Sequence, residues 1–257
     1  MKFTLPKPKM ESILNLALLS GYYDKSELVG DNGSLWIEDS QSAHIITYGK
    51  FEQDFGFLDY DMNGRIVITQ TLVDALKTFD CPNVTLNADD NKIRIEGGSW
   101  KYEENSQQPT GKRFDYKMVD WQFGRRGTSE KSEVFILPEF VASTIPEFAF
   151  TIDKEELKTL PTKASEYTFI SKDGGVIVEV EQLGKLTTEL QISSGYKVNE
   201  EHKASVFGAE FQKALSNFDA AEIAVFVATD FIILSSRQNK KDVVIGLALQ
   251  AQGNIVV

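Results

Sequence analysis

The sequence predicts an α+β fold: two similar domains, each made of two strand–helix–hairpin units, with the helices laid on one face of antiparallel sheet. Three observations carry this reading. One pattern recurs along the chain: a short apolar strand, an amphipathic helix, then a β-hairpin. Its copies begin at Ile66 ("IVITQTLVDALKTF"), Phe148 ("FAFTIDKEELKTL") and Ser205 ("SVFGAEFQKALSNF"), and a weaker copy, "KFTLPKPKMESILNLALL", opens the chain. Each helix carries an apolar stripe on one side only, so it must lie on a sheet. Strand-like segments also far outnumber helices.

Each element has a local reason. The first helix is expected over 8–19, because Pro8 is tolerated in a first turn and Ile13, Leu14, Ala17 and Leu18 form one stripe. Asn32-Gly33 marks a tight turn between two strands. The second helix is expected over 70–79, with Leu72, Val73, Leu76 and Phe79 inward and Asp74 and Lys77 outward. The stretch "NVTLNADDNKIRIEGG" alternates on both sides of Asp89-Asp90-Asn91, which reads as a hairpin. Residues 97–111 are polar and read as a loop, 113–119 as a strand, and 120–147 as a long connector. The third helix, from Lys154, stops before Pro161, with Asp153 placed to cap it and Glu155 and Glu156 in its first turn. The fourth runs from Gly208 to Phe218, and three strands close the chain.

Bulk properties narrow the classes of function. The chain has 257 residues, 27 Lys and Arg against 38 Asp and Glu, and a formal charge of −11. That balance opposes a general nucleic-acid binder with a basic surface, yet permits an acidic exterior around one small basic face. The single cysteine, Cys81, forms no internal disulfide, which points to a reducing compartment. No apolar run is long enough to span a bilayer and no leader pattern is present, so the expectation is a cytoplasmic or nucleoid-associated protein without a membrane partner.

Catalytic chemistry is sparse. The two histidines, His44 in a strand and His202 in the charged turn "NEEHKAS", have no nucleophile or metal-ligand spacing around them. "DYDMNG" (59–64) matches the opening of a calcium loop, but Gln70 stands where the bidentate glutamate belongs, so a β-turn is the better reading. The expectation is a protein that is not an enzyme and needs no cofactor or metal.

Set in order, these stretches resemble the two-domain DNA sliding clamps: proliferating cell nuclear antigen and the T-even-type phage processivity clamps. "LVDALKTFDCPNVTLNADDNKIRI" is similar to the second helix and hairpin of a clamp's first domain. "TIDKEELKTL" with "YTFISKDGGVIVEVEQLGKLTTEL" is similar to the opening of the second domain, and "FGAEFQKALSNF" with "VFVATDFIILSS" resembles its end. The resemblance assigns 1–119 and 148–257 to the two clamp domains and 120–147 to the connector. The ending "QAQGNIVV" lacks the "LAP" of cellular clamps, which fits a phage or viral member.

The resemblance implies a homotrimeric ring, with antiparallel sheets outside and helices on the inner face, that encircles double-stranded DNA without reading its sequence and tethers a DNA polymerase, with a clamp loader as a further partner. DNA-facing residues would be the helix lysines Lys7, Lys9, Lys77, Lys154, Lys158, Lys163 and Lys213. Subunits would join by pairing 113–119 (Arg113, Tyr116, Met118) with 186–193 (Leu186, Leu190, Ile192) of the next chain. Partner peptides would dock on Phe135, Leu137 and Phe140 of the connector with Ile255 and Val256 of the tail. Rival readings are a monomeric DNA-binding processivity factor of the same fold and a non-enzymatic viral structural or adaptor protein.

Overall fold

The computed structural model describes residues 1–39, 45–110, 116–123, 131–139, 143, 147–172, 175–182, 185–192, 195–196, 202–238 and 241–250. They fall in two compact units.

The first unit begins with β1 (Lys2–Pro6) running directly into helix α1 (Lys7–Ala17), with Pro8 in its first turn. Strands β2 (Lys25–Asp31), β3 (Ser34–Asp39), β4 (Ile45–Phe51), β5 (Asp59–Asp61) and β6 (Gly64–Thr69) follow. Helix α2 (Gln70–Lys77) precedes β7 (Asn83–Ala88), β8 (Lys92–Gly97) and β9 (Trp100–Asn105). One sheet has the order β5-β1-β7-β8-β9, and β4-β3-β2-β6 are neighbours in the other. Asn32 and Gly33 both take positive φ (49° and 76°), and Asp31 pairs with Ser34 across them, so the expected two-residue turn forms. Met10, Ile13, Leu14 and Ala17 of α1 and Leu72, Val73 and Leu76 of α2 are buried, which accounts for both stripes.

The second unit contains β10 (Tyr116–Phe123) and β11 (Lys131–Pro138), paired over their whole length. Strand β12 (Phe148–Asp153) leads into α3 (Lys154–Thr159), then β13 (Glu166–Lys172), β14 (Gly175–Gln182), β15 (Lys185–Ile192) and β16 (Gly195–Tyr196). Strand β17 (His202–Phe207) leads into α4 (Gly208–Leu215), then β18 (Glu222–Val227), β19 (Phe231–Gln238) and β20 (Lys241–Ala248). The orders are β15-β14-β13-β17 and β16-β12-β18-β19-β20. In β14 Val176, Val178 and Val180 are fully buried, the period-two pattern of a strand with one covered face. Tyr167, also fully buried, donates its hydroxyl to the Pro161 carbonyl at 2.5 Å and accepts from Gln212 Nε2, joining the end of α3 to α4.

Four expectations need correction. The loop expected over 97–111 contains β9, which pairs with β8 from Trp100 opposite Gly97 to Asn105 opposite Lys92. Ion pairs from Arg94 to Glu103 (2.6 Å) and Lys101 to Glu96 (3.2 Å) join the two strands, so its polar residues serve a solvent-facing edge. The strand expected over 113–119 is described from Tyr116 and runs on to Phe123; Arg113 lies outside the described residues. The connector expected over 120–147 is not bare link, because Asp120–Phe123 finish β10 and Lys131–Pro138 form β11. His202 opens β17 rather than lying in a turn, with Nε2 3.8 Å from Glu147 Oε2. His44 lies outside the described residues.

Helices α2, α3 and α4 begin where the sequence starts them, α1 begins one residue earlier at Lys7, and all four end one to three residues early. Asp153 stands before α3 as expected, and its backbone N–H donates to Glu156 Oε2 at 3.0 Å, half of a capping box.

Candidate nucleic-acid interface

Helices α2 and α4 present the polar faces on which the sequence places Lys77 and Lys213. Thr69 caps α2 by accepting from the Leu72 N–H at 3.2 Å, which fixes where the helix starts and so which residues face out. Lys77 is exposed at the last turn, and its ammonium donates to Asp74 Oδ1 at 2.8 Å. Gln70 Nε2 donates to the same oxygen at 2.9 Å. These bonds, Lys77 first and Gln70 second, hold the Asp74 carboxyl below its usual range.

In α1 the lysines are drawn inward. Lys7 Nζ donates to the Phe79 carbonyl at 2.5 Å and the Lys77 carbonyl at 3.4 Å, with Glu11 at 3.5 Å. It thereby serves the carbonyl end of α2, where a cation is favoured. Lys9 Nζ bonds the Phe55 carbonyl and lies 5.0 Å from the centre of that ring. In the second unit Lys213 is exposed on α4; Lys163, expected on a helix, is exposed in the turn beyond the end of α3, because Pro161 stops that helix; Lys154 and Lys158 are placed by backbone at the first and fifth positions of α3.

The charge balance over these helices is informative. Helix α1 holds two lysines and one glutamate, while α2, α3 and α4 each hold equal numbers of acids and bases. The helical surface is therefore close to neutral in a chain of charge −11. Such a surface repels a phosphate backbone far less than the rest of the molecule does, and it offers only a few separated cations.

The two strands expected to join subunits lie in different sheets. β15, with Leu186, Leu190 and Ile192, is the last strand of its sheet; β10, with Tyr116 and Met118, pairs only with β11 among the described residues. The structure brings two predicted sets onto one hairpin: Tyr116 stands opposite Pro138 and Met118 opposite Ile136, flanking Leu137 and Phe135. Phe140, Ile255 and Val256 lie outside the described residues. The sequence reading missed the inward pull of Lys7 and Lys9, for which it carries no signal. The Asp74–Lys77 pair was visible in the i,i+3 spacing.

With this geometry in place, comparison with solved structures defines the class: the chain has the sliding-clamp fold, mostly antiparallel sheet with few helices. Proliferating cell nuclear antigen (PCNA) of A. fulgidus, with the C-terminal region of FEN-1 bound to it, superposes with a TM-score of 0.70 at 10% identity, covering 97% of this chain and 98% of that one. PCNA from Entamoeba histolytica gives 0.68 at 14% identity over 97% and 98%. The DNA polymerase III subunit beta of Pseudomonas aeruginosa gives 0.64 at 13% identity, covering 97% of this chain and 64% of that longer one. At these identities the likeness is one of fold. No protein-family model matches the sequence, and no curated protein matches it. Among the described residues no helix is long and apolar enough to cross a membrane.

Proposed function

We propose that this protein is a DNA sliding clamp: a non-enzymatic homotrimeric ring that surrounds duplex DNA and tethers a polymerase after a clamp loader has closed it. The observation behind this is the superposition on PCNA end to end, 97% of one chain on 98% of the other, with α1, α2, α3 and α4 each accounted for by the repeated unit. The two expected domains, 1–119 and 148–257, then supply two helix pairs per subunit to the channel.

The near-neutral helix faces suit the task. Sequence-independent holding relies on phosphate contacts, and sliding requires that they be few and weak. Lys77, Lys163 and Lys213 are the exposed candidates, and Lys154 and Lys158 of α3 complete the set. Tethering raises the local concentration of polymerase at the primer end and needs no chemistry from the clamp. Ring closure joins β10 of one subunit to the outer edge of β15 of the next, and partner peptides dock near β11 and the tail.

Two measurements test this. Solution mass separates a trimer of 28.8 kDa chains from a monomeric processivity factor. Retention on DNA separates a ring from a surface binder: a trimer loaded on nicked circular duplex persists in high salt and leaves once the circle is cut. Equal release from circular and cut DNA refutes encirclement, and a polymerase no more processive with the protein than without it refutes the clamp role. Tyr116→Pro, which removes a ladder donor from β10, is expected to shift the mass toward one chain; a full trimer with that change excludes the pairing.

A further inference from the structure

We propose that a cleft beside β6 in the first unit binds an extended, basic peptide segment of a partner protein, which adds to β6 as a further strand. This surface is distinct from the helix faces, and the proposal does not depend on encirclement of DNA. The cleft measures about 780 Å3. One wall is β6 from Gly64 to Val67, the floor includes Ala88 and Ile93 of the β7–β8 hairpin, and the other wall is the chain from Ser106 to Pro109.

Three observations select this occupant. First, β6 is the last strand of its sheet and pairs only with β2 among the described residues, so one row of its backbone N–H and C=O groups has no strand beside it. An edge of that kind is a template for an added strand, and four residues give about 13 Å of ladder.

Second, the cleft is already formed. The far wall is pinned at both ends and spans the space between. Ser106 donates its N–H to the Asn91 carbonyl (2.9 Å) and its hydroxyl to the Asp89 carbonyl (2.8 Å). Thr110 donates its N–H (2.5 Å) and hydroxyl (2.7 Å) to Glu27 Oε1, while Arg65 Nη1 holds Glu27 Oε2 at 2.7 Å. A peptide entering between fixed walls loses its own freedom only, and the protein needs no ordering.

Third, the charge left over is negative. Arg65, the one basic side chain in the lining, is engaged by Glu27. The Met1 ammonium, also in the lining, donates to the Ala88 carbonyl at 3.0 Å. Against it stand Asp89, shared with Arg94 (3.0 Å), the exposed Asp90, and Asp61, which accepts from the lining residue Asn63 at 3.2 Å. With the chain at −11, a basic segment is drawn toward this end and an acidic one repelled.

The probe is a labelled ten-residue peptide alternating lysine with valine and threonine, titrated into the full-length protein by fluorescence anisotropy. Saturable binding is expected, with slowed amide exchange at Gly64–Val67. Methylating alternate backbone nitrogens of the peptide, which leaves its charges intact, is expected to weaken binding more than tenfold. The variant Asp90→Lys, at an exposed turn position, is expected to weaken it about three- to fivefold, the scale of an exposed ion pair. No saturation below about 1 mM overturns the proposal. So does equal binding of the methylated peptide, which would mean charge attraction without strand addition, or unchanged binding to Asp90→Lys.

Discussion

Replacing Glu27 by Gln tests how the first unit holds the 106–110 segment. The Glu27 side chain is 7% exposed and its partner Arg65 17%. One carboxylate oxygen takes the Arg65 guanidinium; the other takes both Thr110 donors. Glutamine keeps the shape but has one acceptor oxygen, so its NH2 must face either Arg65 or Thr110, donor against donor. A hydrogen bond to a charged group is worth about 1.5–3 kcal/mol, and breaking a fully buried ion pair costs about 3–5 kcal/mol. Water reaches Arg65, so the expected loss is about 2 kcal/mol at pH 7. Burial pushes the Glu27 carboxyl up, but the bonds from Arg65 and Thr110 together outweigh it and leave it below its ordinary 4.5. A carboxyl lowered by folding stabilises the fold above its unfolded pKa, and that contribution fades as pH falls through the lower folded value. The gap between wild type and Glu27→Gln, measured by urea unfolding, should therefore be full at pH 6–7 and shrink below about pH 4.5. Other acids titrate alike in both proteins and cancel in the difference. A gap that stays constant from pH 7 to pH 3, or one under about 0.5 kcal/mol at pH 7, would show that the ionised carboxylate is not what holds the segment.

Three further outcomes are expected. Tyr167→Phe removes the bonds to the Pro161 carbonyl and Gln212 Nε2, both half-buried, and should cost about 1 kcal/mol in urea unfolding. Lys77→Ala with Lys213→Ala should flatten the log–log salt dependence of DNA binding by about two units, one for each phosphate contact removed, whereas an unchanged slope would turn these helices away from DNA. Asp74→Asn removes the charge opposite Lys77 and should tighten DNA binding in anisotropy titrations at low salt, an effect expected to vanish in a Lys77→Ala background.

The fold was legible because burial writes itself into the chain with a period. The stripes at Ile13, Leu14 and Ala17 and at Leu72, Val73 and Leu76 identify helices with one covered side, and the structure buries every one of these residues. The Asn32-Gly33 turn was legible for a different reason: its backbone needs positive φ at both positions, which few residue pairs accept. Strand β9 was missed because it lies at a sheet edge. Its residues from Trp100 to Asn105 are exposed or half-buried, so no covered face imposes alternation, and its order comes from cross-strand pairs such as Arg94–Glu103. Strand β11 was hidden in the same way, because a hairpin partner is a pairing fact that the linear pattern of one segment does not carry.

The candidate interface was legible only by type. Lysine at an outward helix position can be read from periodicity, but where its ammonium goes depends on acceptors brought close by tertiary packing. Lys7 and Lys77 look equivalent in sequence, each a lysine on the polar side of a helix beside an acid. In the folded chain Lys7 reaches the carbonyls of Phe79 and Lys77 across 72 and 70 residues of sequence, while Lys77 stays in solvent with Asp74 three residues away. One cation therefore completes the end of α2 and the other remains available for exchange with a phosphate. The number of lysines on the helices thus overstates the charge offered to DNA. A surface with few exposed cations, of which Lys77 is held by Asp74, binds phosphate weakly and reversibly, which is what the proposed sliding along DNA requires.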